Sequence, residues 1–143
     1  MTMPNLIDDM VTEFQKLKLD YLSNCIPPTY PDGLDIEVVN TKEFLKLSSY
    51  PMSDRDREHV TPAIYNNPSR YRIENYYNRT DLSSKRWTVD YEEDFEYVRG
   101  VFSEFKGKET VFDIDDVLKL EEEKPTLENS LGSEFRNLQF KNE

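Results

Sequence analysis

Three clusters in the chain hold residue types and spacings able to do chemistry. The first is YPDGLDIEV at residues 30–38, where Asp35 and Glu37 lie two positions apart. On an extended segment such acids project from one face. They can accept hydrogen bonds from sugar hydroxyls, or one can bind a cation. The plainer reading is the wet face of an ordinary strand. The second cluster is RDREHVTP at 55–62. Arg57, with its bidentate fork, and His59, poised near neutral pH, can meet a phosphate or a sugar carboxylate. The alternative is a charged helix face whose ion pairs contribute little each. The third is RWTVD at 86–90, followed by YEEDF at 91–95. An Asp ending a parallel strand points into the crevice where α/β folds bind ligands, so Asp90 could hold Mg²⁺ against a triphosphate. Asp90 also reads as a helix N-cap, with Glu93 completing a capping box. Trp87 reads as core packing on an apolar strand face.

Elements must position these side chains, and composition bounds them. The chain has 143 residues, 36% hydrophobic and 33% charged, with a net charge of −11, one His and one Cys. That length implies one domain, and the apolar content suffices for one core. The negative charge repels a polyphosphate backbone, which argues against nucleic-acid binding. No apolar run approaches the roughly 20 residues that cross a bilayer, so no membrane partner is expected. The first nine residues lack the basic start of a secretory signal. One Cys and one His make neither an internal disulfide nor a Cys/His zinc site. A reducing cytoplasm fits, and any metal is expected to be a hard cation on carboxylate oxygens.

Along the chain, residues 4–17 read as a helix. Pro4 suits its first turn, and Ile7, Met10, Val11, Phe14 and Leu17 form one stripe. Residues 20–24 and 34–39 read as strands around a proline-rich loop at 26–33, with Ile36 and Val38 sharing a face. Thr41 is expected to cap a short helix, and Ser53 to start another. Pro62 then interrupts that helix or begins a fresh one behind Thr61. Residues 71–76 and 86–90 are further strand candidates. A helix over 92–105 should bury Phe95, Val98, Val101, Phe102 and Phe105. Asp113 should cap a last helix that buries Ile114, Val117 and Leu118 and stops at Lys124-Pro125. Strands alternating with helices predict an α/β fold. None of the four glycines belongs to a phosphate-gripping loop motif.

In this order and spacing, the segments resemble the spore-coat polysaccharide cytidylyltransferase family, relatives of the enzymes that make CMP-linked acid sugars. The likeness is carried by DYLSN at 20–24, TYPDGLDIEV at 29–38, REHVTP at 57–62, NP at 67–68, DLS at 81–83, and RWTVD at 86–90 through EDF at 93–95. It runs from about Pro4 to Leu127. The resemblance implies the C-terminal part of a nucleotidyltransferase-type three-layer α/β sandwich with a mixed sheet. It implies a partial domain over 1–127 without the nucleotide-binding part, and a polar tail over 128–143. By resemblance Asp90 is a magnesium-binding, catalytic acid. Tyr30, Asp32, Asp35 and Glu37 are sugar-side contacts, and Arg57, Glu58 and His59 border the active site. Where relatives follow this Asp with Thr-Pro, Tyr91-Glu92 stands here. The implied activity is CMP transfer from CTP to a sugar, with release of pyrophosphate. The expected partners are CTP, a sugar, and either a second copy or an N-terminal half supplied in trans. The isolated chain is expected to be inactive. The alternative is a non-catalytic dimerisation or interaction module derived from that fold.

Overall fold

The first helix, α1 (Pro4–Leu17), spans the expected residues, but its buried face is shifted. Of the expected stripe only Met10 is buried, Ile7, Val11 and Phe14 are half-buried and Leu17 is 45% exposed, while Leu6, outside that stripe, is buried. Lys18 closes it in the left-handed region at φ 54°, returning its N–H to Gln15. The structure is a computed structural model that describes residues 1, 3–50, 54–108 and 111–127. The expected polar tail at 128–143 and the expected helix start at Ser53 lie outside the described residues.

Three short strands form a mixed sheet in the order β2-β1-β3. Strand β1 (Tyr21–Ser23) pairs antiparallel with β2 (Glu37–Val39) and parallel with β3 (Ile73–Asn75), placing Leu22 opposite Val38 and Glu74. Consecutive strand residues face opposite ways. Leu22 accordingly joins the main core with Met10, Leu34, Trp87, Val101 and Val117, while Tyr21 joins a second cluster with Leu47, Ile64 and Tyr71. The fold class is α/β, as the alternation predicts.

Several local expectations are corrected. Residues 86–90 do not form a strand; they touch the 30–33 loop through a single parallel bridge, Asp32 to Arg86. Pro31 has no N–H to extend that ladder, and Gly33, at φ +98°, turns the loop away. A Cβ at Gly33 would sit 2.5 Å from the backbone nitrogen of Thr88, so only glycine allows the approach. Helix α2 (Thr41–Lys46) is capped by Asn40, not Thr41: the Asn40 Oδ1 accepts from the Lys42 N–H at 3.0 Å. Helices α3 (Asp54–His59) and α4 (Pro62–Tyr65) are separate, meeting at Val60, which holds the left-handed region at φ 60°. Helix α5 (Glu92–Glu104) buries Asp94, Tyr97 and Val101 and leaves Phe95 51% exposed. Asp113 caps α6 (Ile114–Glu123) as expected, accepting from the Asp116 N–H. No described helix is long and apolar enough to cross a membrane.

A polar clamp ties the starts of β1 and β3. Asp20 accepts from the Arg72 side chain at 3.2 Å through both oxygens, and from the Arg72 N–H at 2.9 Å. The Arg72 hydrogen bond, foremost, holds the Asp20 carboxyl below its ordinary value, against a smaller opposing effect of burial. A depressed carboxylate adds stability above its unfolded pKa, about 3.9, and loses it as pH falls through the folded value. Denaturant midpoints measured from pH 7 down to acid should therefore fall below about pH 4. Asp20→Asn should flatten that fall; an unchanged slope would dismiss the clamp.

Candidate functional site

The side chains that matter most sit on the extended segment 85–87, where alternate residues point opposite ways. Arg86, 3% exposed, serves three carboxylates. Its Nε and Nη2 donate to Asp94 Oδ1 and Oδ2 at 2.9 and 2.8 Å, in the two-pronged geometry that suits guanidinium to carboxylate. Its Nη1 donates to Asp32 Oδ2 at 3.0 Å, and Nη2 also donates to Asp90 Oδ2 at 2.8 Å. Burial lowers the Arg86 pKa, but the hydrogen bonds that it donates to Asp94 and Asp90 and the charges of Asp94 and Asp32 outweigh it, so the guanidinium is held charged.

Asp94 is fully buried at the third position of α5. Besides Arg86, its Oδ2 accepts from the backbone N–H groups of Asp90 and Tyr91, both at 3.0 Å. This corrects the expected capping: Tyr91 is the N-cap residue and Asp94, not Glu93, reaches back to the first turn. On the opposite side of the segment, buried Glu121 of α6 accepts from Trp87 Nε1 at 2.9 Å, Tyr97 O–H at 2.6 Å and Lys85 Nζ at 2.6 Å. Trp87, 1% exposed, is core packing as read.

A groove of about 620 Å³ is lined by the residues that follow β3, by Tyr30 and by the starts of α1 and α6. Tyr30 lies in it, its ring stacked on Tyr76 at 6.3 Å between centroids. Tyr77, Asn78 and Arg79 line the same groove, with Asp9 across from them on α1. Desolvation, then the nearby Tyr76 and Asp9, push the Tyr30 phenol up to about 12.

The expected site residues divide into groups. Asp32 and Asp90 meet on Arg86: Asp32 is buried, whereas the Asp90 side chain is 61% exposed. Tyr30 lies in the groove, and neither Asp32 nor Asp90 lines it. Asp35 and Glu37 are exposed, Glu37 accepting from the Tyr21 hydroxyl. Arg57, Glu58 and His59 lie on α3, and Arg57 lines a separate apolar hollow with Phe44, Leu45 and Val60. Reading the sequence missed Arg86, Asp94, Glu121 and Tyr76. One available signal was an acid at 94 in helical register with Tyr97 and Val101: a charge on a buried face demands a partner.

Among the described residues no three acids, His or Cys converge as a metal cage. Magnesium does not require one, since it commonly takes one or two carboxylates beside substrate phosphates and water. Asp90 fits that role. Arg86 engages its Oδ2, and its Oδ1 accepts no hydrogen bond among the described residues.

In structure this chain is similar to a cytidylyltransferase from Leptospira borgpetersenii serovar Hardjo-bovis (strain JB197), with a TM-score of 0.80 and 29% sequence identity over 89% of this chain and 53% of that one. The chain thus spans about half the length of that structure. No protein-family model and no curated protein matches it.

Two predictions follow from burial. Asp94→Ala removes the fully buried, two-pronged partner of Arg86 and the acceptor of two backbone donors, and should cost about 3–5 kcal/mol in urea unfolding. Asp90→Ala removes an exposed partner of the same guanidinium and should cost about 1 kcal/mol or less. Equal costs would refute the assigned hierarchy. The raised Tyr30 pKa makes a second prediction. The neutral phenol is favoured in the fold, so its contribution is present below about pH 10 and is lost between there and the folded value. Tyr30→Phe should remove part of the alkaline loss of stability in denaturant midpoints between about pH 9 and 12.

Proposed function

We propose that this chain is the C-terminal part of a cytidylyltransferase that activates a sugar for surface or spore-coat polysaccharide synthesis. The observation that carries the reading is the likeness to a solved cytidylyltransferase across nearly nine-tenths of the chain. The mixed sheet with apolar clusters around Tyr21 and Leu22 supports a three-layer sandwich completed by an N-terminal half.

In the complete enzyme a sugar hydroxyl attacks the α-phosphorus of CTP. The new O–P bond forms as the bond to pyrophosphate breaks, and the hydroxyl proton passes to a base or to solvent. Bound magnesium would offset phosphate charge, with Asp90 as this chain's ligand to it. Tyr30 and Tyr76 would offer an aromatic floor for the sugar ring, with Asn78 and Arg79 at the rim. Holding the acceptor in line supplies much of the rate in such transfers. Asp35, Glu37 and the Arg57-Glu58-His59 block remain proposed contacts outside this groove. A second copy of the chain, or the N-terminal half in trans, would be its protein partner.

The second reading is a non-catalytic interaction module. The share of the solved structure that this chain spans, about half, favours it for the chain by itself.

The test is pyrophosphate release from CTP and Mg²⁺ with a panel of sugars, measured for the chain alone and with an N-terminal half from a related cytidylyltransferase. The chain alone should be silent and the mixture active. Asp90→Ala should lower the activity of the mixture at least about a hundredfold, the scale of a lost transition-state charge contact. Activity that survives this substitution would remove Asp90 from the metal site. Silence of every mixture would favour the module.

A further inference from the structure

The proposed reading needs Asp90 to present a carboxylate oxygen in a defined place, yet the residue is exposed and precedes its helix. A side chain that is 61% exposed ordinarily samples several rotamers. Here its surroundings form a closed ring of hydrogen bonds. The Asp90 N–H donates to Asp94 Oδ2 at 3.0 Å. The same Asp94 oxygen accepts from Arg86 Nη2 at 2.8 Å, and Nη2 donates onward to Asp90 Oδ2 at 2.8 Å. Backbone and side chain of Asp90 are thus held from one buried anchor. Asp32, on Nη1, fixes the far side of the guanidinium. Among the described residues, only Oδ2 of Asp90 is engaged.

We propose that Arg86, held by Asp94, is a positioning residue: it fixes Asp90 in one rotamer so that the outer oxygen is aimed as a ready-made ligand for a divalent cation. This rests on the reading of Asp90 under the proposed function and adds to it the residues that make that ligand competent. Partners of this kind orient a ligating carboxylate without touching the ion. Lysine cannot replace Arg86 in the role. It keeps the charge, but all its donors sit on one nitrogen, so it cannot make the two-pronged contact with Asp94 while also reaching Asp90 and Asp32 as the three spaced guanidinium nitrogens do.

The test uses the full chain with isotope-labelled aspartate and two readouts. In the metal-free chain, three-bond couplings report the Asp90 side-chain rotamer. In a titration with Mn²⁺ alone, paramagnetic broadening of the Asp90 carboxyl carbon reports cation approach. The unsubstituted chain should show one rotamer and early broadening at Asp90. Arg86→Lys and Asp94→Asn should each average the rotamer and raise the Mn²⁺ needed for equal broadening about tenfold, the scale of a lost outer-shell partner. Asp32→Asn keeps an oxygen that can accept from Nη1 and leaves the ring intact, so it should stay near the unsubstituted behaviour. Asp94→Asn, nearly identical in shape, serves should Arg86→Lys fail to fold, and amide spectra verify folding of each. A rotamer already averaged in the unsubstituted chain, or unmoved in a folded Arg86→Lys or Asp94→Asn chain, overturns the positioning role. A fixed rotamer with no broadening at Asp90 overturns instead the cation reading of that residue.

Discussion

The contact between Arg86 and Asp94 is the constraint on which the rest is built. Both side chains are out of water, at 3% and 0% exposure. Taking two opposite charges into a protein interior is unfavourable unless geometry and further hydrogen bonds offset the lost hydration. Here the offset is extensive: a two-pronged ion pair, two backbone donors on Asp94, and two more carboxylates on the guanidinium. Each added bond ties down another element. Asp94 belongs to α5, Asp90 and Tyr91 to the turn before it, and Asp32 to the loop that carries Tyr30. One buried pair therefore fixes the start of a helix, the segment before it and a loop beside the groove.

The same segment is pinned from its other side. Lys85 and Trp87 both reach Glu121, which also takes the Tyr97 hydroxyl. Residues 85–87 have one ladder contact, so backbone hydrogen bonding does little to hold them. Alternation does the rest: an extended chain sends neighbours to opposite sides, and here each side meets a buried acid. Among the described residues the sheet has three strands of three residues each, and side-chain pins replace the ladder that a longer sheet would supply. No buried side-chain polar atom among the described residues lacks a partner, which is the condition for a polar interior to hold one arrangement.

The parts of this fold legible in the sequence are those that local chemistry decides. The extent of α1, the Asp113 cap of α6 and the proline-rich loop were readable because spacing and backbone preference act within a few residues. The 86–90 segment misled for a physical reason. Alternating apolar and polar residues describe a strand and equally an extended segment held by side chains. The face of α5 was misjudged by one position, since Phe95 is the more apolar residue and Asp94 the one buried. That choice is made by Arg86, eight residues earlier, and no helical periodicity contains it. Tyr30 was legible from its motif, but Tyr76, its stacking partner, is 46 residues away and is brought there only by the parallel pairing of β1 with β3. Of the expected site residues, the structure joins Asp32 with Asp90 and sets the α3 block beside a different hollow.

On the proposed reading, charge explains why such an arrangement would meet phosphates only through an intermediary. The chain as a whole is strongly acidic, and its hub follows suit, with three carboxylates sharing one guanidinium. Two of those acids are buried and committed to Arg86, so the excess negative charge is felt at Asp90, the exposed member. A bare triphosphate would be repelled there, whereas a divalent cation would be attracted and, once seated, would reverse the sign that the phosphates meet. On the proposed reading, Arg86 has two effects that would conflict on a mobile side chain. It draws off part of the Asp90 charge, which weakens any cation contact, and it holds the carboxylate still, which strengthens one. Because the guanidinium is shared among three acids and takes only one Asp90 oxygen, the first effect is diluted while the second is kept.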